Sequence, residues 1–166
     1  MRVIGALDKN NYKTDRYHKF INAKTFYDSK EKWQKNRDYI KQTCYQCHSK
    51  TFVENHFTLV DKILKEADRI TAEAILEIEQ LQEEGLLTIE DKGVYSIDIL
   101  KFYKMSTPIE IKLFDMIFKY RMRTFQGAFH INSDYMHWEG YAELNKSLTE
   151  IKRLSAEMRR LGAKKK

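Results

Sequence analysis

From residue 57 to residue 81, the positions Phe57, Val60, Leu64, Ala67, Thr71, Ala74, Ile78 and Leu81 recur three and four residues apart. That spacing draws one continuous face on an α-helix and no face on a strand. Thr51 with Glu54 has the form of a capping box just upstream, and Gly85 is a natural stop downstream. The implied helix exceeds thirty residues, a length that suits a bundle or a subunit contact better than a small closed core.

The rest of the chain agrees. Pro occurs once and Gly six times in 166 residues, so little interrupts long helices. An earlier helix is predicted over residues 29–47, with Asp28 or Ser29 as cap and Trp33, Arg37 and Ile40 at helical spacing. A third begins at Thr107-Pro108-Ile109-Glu110, with Thr as cap, Pro in the first turn and Glu as reciprocal partner. Its apolar face is Ile109, Leu113, Phe114, Ile117 and Phe118. A break near Gly127, or at Asn132-Ser133-Asp134, precedes a fourth helix carrying Tyr141, Leu144, Leu148, Ile151, Leu154, Met158 and Leu161 and ending at Gly162. Between them, Asp91-Lys92-Gly93 signals a turn, with short extended pieces at 88–90 and 94–97. The fold class is all-α, with long antiparallel helices in an elongated bundle. Residues 1–50 form an irregular, aromatic-rich segment and the first helix; residues 51–166 form the long helical region, with an irregular insert near 86–106.

Cys44-Tyr45-Gln46-Cys47-His48 uses both cysteines of the protein. The spacing is that of a c-type haem attachment site. On one helical turn the two sulfurs can form thioethers to the two vinyl groups of a single porphyrin, and His48 can reach the iron as proximal ligand. Two blander readings start from the same residues. A zinc half-site needs two more ligands at short spacing, and His18, His56, His130 and His137 offer no such pair. A thioredoxin-like pair needs a strand leading into a helix, whereas the residues before Cys44 read as helix.

A net charge of +6 is compatible with an acidic partner, but the basic residues alternate with Asp and Glu along helix faces, so a solvated surface is read and no nucleic-acid partner. No segment has the apolar length of a transmembrane helix, and residues 1–15 lack the apolar run of a secretory signal. Covalent haem attachment takes place outside the cytoplasm. The expectation is therefore an extracytoplasmic protein whose signal peptide lies upstream of Met1 in a longer polypeptide.

A second constellation spans residues 130–141, where two His, two Tyr and one Trp surround a helix junction. A low-spin haem takes a second axial ligand, and His130 and His137 are the candidates. Packing or capping roles for these histidines are the alternative. The run Trp33-Gln34-Lys35-Asn36-Arg37, then Cys44 to His48 followed by Ser49-Lys50-Thr51-Phe52, a long charged helix, and Asp134-Tyr135-Met136-His137-Trp138-Glu139-Gly140 resembles the C-terminal part of the hydroxylamine oxidoreductase family, including its hydrazine-oxidising relatives.

That resemblance implies the C-terminal part of a multihaem cytochrome c fold: an octahaem enzyme that assembles as a homotrimer and hands electrons to an acceptor cytochrome. One haem of such an enzyme is catalytic and is linked to a tyrosine of a neighbouring subunit; Tyr135 is the first candidate for that tyrosine and Tyr141 the second. The haem at Cys44, Cys47 and His48 would be the last electron carrier. This chain has one CxxCH motif where the family has eight, so the resemblance implies no hydroxylamine or hydrazine oxidation by the chain alone, and the substrate is set elsewhere. Two other functions fit the residues: a stand-alone monohaem electron carrier, and a haem-free helical oligomerisation module.

Overall fold

The computed structural model describes residues 30–87 and 107–163. The aromatic-rich segment 1–28, the cap at Asp28 or Ser29, and the extended pieces at 88–90 and 94–97 lie outside the described residues. Among those described, the chain is helical throughout, with no strand.

Helix α1 (Lys30–Cys44) leads through a short turn into α2 (Lys50–Glu83). At 34 residues and 1.5 Å per residue, α2 is about 50 Å long. Its cap is Ser49, whose hydroxyl accepts the Phe52 amide at 3.3 Å; the Thr51–Glu54 box does not form. Glu54 is drawn instead into contacts with α1. At the far end, the Leu86 amide bonds the Leu81 carbonyl at 2.9 Å and the Gly85 amide bonds Gln82 at 3.0 Å, with Gly85 at φ 71°. This is the Schellman closure that Gly85 suggested.

The arm at 108–129 consists of α3 (Pro108–Asp115), a π-helical turn (Met116–Tyr120) and α4 (Arg121–Phe129). It starts with the predicted capping box: the Thr107 hydroxyl accepts the Glu110 amide, and the Glu110 carboxylate accepts the Thr107 amide at 3.1 Å. The arm at 133–163 has a second π-helical segment (Tyr135–Tyr141) leading into α5 (Ala142–Ala163). Each π segment shows the five-residue reach of its class: Arg121 bonds back to Met116, and Ala142 to His137. The break falls at residues 130–132, where Ile131 takes φ 58° and the Asn132 side chain accepts the Tyr135 amide at 3.0 Å.

Contacts along α2 fix the topology. His56 meets Phe129 and Asp68 meets Arg121, so the arm 108–129 runs antiparallel to α2. Glu73 meets Lys152 and Glu84 meets Arg159, so α5 runs parallel to α2. Three long helices thus go up, down and up. The core lies among them: Ile70, Ala74, Ile78 and Leu81 from α2, Ile109 and Leu113 from α3, Met116, and Leu144, Leu148 and Ile151 from α5. Because α2 is covered from two sides, Ile70, Ala72 and Ile75 are buried in addition to the predicted stripe, while Leu64 is only half-buried.

The arms 108–129 and 133–163 cross with their backbones in contact. Gly127 faces the Met136 backbone, and Gly140 lies under Thr124. Only residues without a side chain permit that approach.

Candidate haem site

Helix α1 does not belong to the core. It lies antiparallel along the first half of α2, joined by the Arg37–Asp61 and Lys41–Glu54 ion pairs, each at 2.6 Å. Beneath them Phe57 is buried, with the Arg37 guanidinium 4.8 Å and the Lys41 ammonium 5.4 Å from its ring centre. Cation–π contacts and part-exposed ion pairs contribute on the order of 1 kcal/mol each or less. Polar contacts thus set the position of the motif that α1 delivers.

At the end of α1 the chain makes one more turn. The Cys44 carbonyl accepts the amides of both Cys47 (3.2 Å) and His48 (3.0 Å), and Ser49 then opens α2. This turn gathers the two thiols and the imidazole. Both cysteines are free; Cys44 is half-buried, Cys47 and His48 are exposed. Tyr45, inside the motif, donates to the Glu54 carboxylate on α2. That bond pushes the Tyr45 phenol up to about 12. Hydrogen bonds from Lys41 and Tyr45 together hold the Glu54 carboxyl below the usual carboxylate range. The motif turn is thereby anchored to α2 through its middle residue, leaving its outer residues for a ligand.

The surroundings fit a porphyrin. Ile40, one turn before Cys44, is 41% exposed, and Phe52, one turn after His48, is 45% exposed; these give apolar flanks to a site whose ligand is a large apolar ring. The residues that would hold it are Cys44 and Cys47 through sulfur and His48 through its ring nitrogen. Among the described residues no cluster of three or more His, Cys, Asp or Glu is arranged to hold a metal ion by itself.

The His48 ring stacks on Phe52 with centres 5.0 Å apart and planes 28° apart. Phe52 in turn stacks on His56, at 6.2 Å and 10°. The His56 Nε2 hydrogen-bonds the Phe129 carbonyl at 3.0 Å, at the end of α4. His56 had no role in the sequence reading. Its signal was available: Phe52 and His56 are four residues apart on one face of α2, and His48 precedes Phe52 by the same interval from the motif turn.

His130 is exposed, with its ring edge-on to Phe129 at 6.2 Å. It therefore lies at the end of the aromatic row that begins at His48. His137 belongs to a separate patch on the second π segment, edge-on to Trp138 at 4.6 Å and stacked on Tyr141 at 6.3 Å. Trp138 is 65% exposed. Tyr135 is half-buried at the start of that segment, while Tyr141 packs against the core.

A protein family described as a multi-haem cytochrome carrying CxxCH seven times matches residues 4–93, more than half of the chain and inclusive of the motif. The chain belongs to this family. Covalently bound haem c, with its iron, is accordingly the cofactor of this multi-haem cytochrome. No curated protein matches the chain. The matched region contains α1, the motif turn and α2, and ends before the arms that bear His130, Tyr135 and His137.

Proposed function

We propose that this multi-haem cytochrome holds one haem at Cys44, Cys47 and His48 and serves in electron transfer. The observation that carries the reading is the motif turn, which presents two free thiols and an exposed imidazole beside the apolar flanks of Ile40 and Phe52. Addition of each S–H across one vinyl double bond forms a C–S and a C–H bond, with nothing released. An iron porphyrin supplies reversible one-electron chemistry. The chain's part is to orient it through His48 and to shield one edge.

The finer reading follows the resemblance to hydroxylamine oxidoreductase. The chain then serves as the C-terminal part of an extracytoplasmic oxidoreductase for hydroxylamine, hydrazine or a related nitrogen compound. His130, exposed at the end of α4, is the candidate distal ligand. His137, exposed beside Trp138, suits a haem or a subunit outside these residues. Tyr135, half-buried on the π segment, is the candidate for linkage to a neighbouring subunit's haem in a homotrimer.

The test is production in a periplasm with haem-maturation machinery. A soluble red protein whose colour survives denaturant is expected, and Cys44→Ala together with Cys47→Ala should abolish that colour. Colour retained in the denatured double variant refutes attachment at this motif.

A further inference from the structure

We infer that Phe52, backed by His56, is a positioning residue that fixes the rotational setting of the His48 imidazole about its bond to the haem iron. This rests on the haem assignment just made and deepens it. A histidine ligand in a haem protein is ordinarily oriented by a hydrogen bond from its second ring nitrogen. His48 makes no such bond to any described residue; its ring plane is met instead by Phe52, 5.0 Å away and 28° from parallel.

Phe52 is itself held. It sits in the first turn of α2, and the Ser49 cap that accepts the Phe52 amide joins that turn directly to His48. His56 stacks on Phe52 as well, with ring centres 6.2 Å apart and planes within 10° of parallel. The bond from His56 Nε2 to the Phe129 carbonyl, 3.0 Å long, ties that ring to the end of α4. With Nε2–H as donor, the tautomer of His56 is fixed too. The stack thus runs from a backbone carbonyl of the bundle to the iron ligand. A ring held by a flat face rather than by a hydrogen bond keeps its plane without gaining the basicity a carboxylate or carbonyl would give it.

The orientation of an axial imidazole is readable from the ferric haem, because the unpaired spin on the porphyrin follows the plane of the ligand ring. The experiment uses the haem-loaded chain in the ferric state, with and without saturating cyanide, which leaves His48 as the planar axial ligand. Haem-methyl proton shifts are compared for the unchanged protein, Phe52→Ala, Phe52→Leu and Phe52→Tyr. The expected result is a reordered methyl pattern in the Ala and Leu variants and recovery of the original pattern in the Tyr variant. His56→Ala should give a smaller change in the same direction.

Leu keeps apolar bulk but has no ring plane, so it separates packing from orientation. Phe52 is 45% exposed, and its replacement leaves the core untouched. An unaltered methyl pattern in Phe52→Ala and Phe52→Leu overturns the inference. Absence of covalent haem in the unchanged protein defeats the haem assignment instead, and is detected separately by mass.

Discussion

A methyl group at Gly127 would sit 2.5 Å from the Met136 backbone nitrogen, and one at Gly140 would sit 2.5 Å from the Thr124 nitrogen and hydroxyl. Neither obstacle is the end of a flexible side chain, so the arms must separate to admit either residue. Gly127→Ala and Gly140→Ala should each cost about 1–3 kcal/mol or more through overpacking, read as a lower denaturant midpoint. Gly162→Ala is the control: only the tip of Leu86 stands in its way, and little change is expected. Gly127 shows what sequence conveys at this scale. It reads as a break signal, yet it lies within α4, and the turn is made three to five residues later with Ile131 at φ 58°. A β-branched residue in that region is unfavourable on its own; the tight crossing on either side holds it there.

Between elements, the junction of α1 with α2 carries two groups whose ionisation is shifted. The Tyr45 phenol, pushed up to about 12 by its bond to Glu54, stays protonated where a free tyrosine ionises near 10. Its contribution to folding is fully present below pH 10 and is lost as pH rises through 12. Glu54 works in the opposite sense: held low by Lys41 and Tyr45, its contribution is present above the ordinary carboxylate pKa and is lost as pH falls through its own lower value. The measurable outcome is the titration of the Tyr45 ring carbon by NMR, with a midpoint near 12 that Glu54→Gln brings back toward 10. A midpoint that stays put in Glu54→Gln would contradict this pairing. The failed Thr51–Glu54 box has the same origin. Locally Glu54 is a good box partner, but the tertiary contacts with Lys41 and Tyr45 hold it elsewhere, and Ser49 takes over the cap. The Thr107–Glu110 box meets no such competition among the described residues and forms as its residues suggest.

Across the whole molecule, the parallel pairing of α2 and α5 brings Glu77, Ser155, Arg159 and Glu84 into one network near the far end of the bundle. Burial pushes the Glu77 carboxyl up, but hydrogen bonds from Ser155 and Arg159 outweigh it and hold the group below its ordinary value. Arg159 bonds Glu77 at 2.6 Å and Glu84 at 2.7 Å. Glu77→Ala removes the acceptor of a buried Ser155 and one of the three partners of Arg159; a loss of about 1–3 kcal/mol is expected, checked by denaturant unfolding at neutral pH. Helical period made the all-α class and most of the core face legible. The parallel neighbour relation was not, because it rests on contacts such as Glu73–Lys152 and Glu84–Arg159 between residues far apart in sequence. The haem motif was legible because its chemistry is local; the stack behind it needed Phe129, 73 residues beyond His56, to give His56 a partner.

The two π segments keep the arms in phase. Each carries one residue more than an α-turn would, which rotates everything downstream by about 100° about the helix axis. Residues 135–141 therefore decide whether Leu144, Leu148 and Ile151 face α2 or solvent. Loss of a single codon there would leave every side chain of α5 chemically intact and turn its apolar stripe outward. In this part of the chain length is specified as strictly as the glycine at position 140.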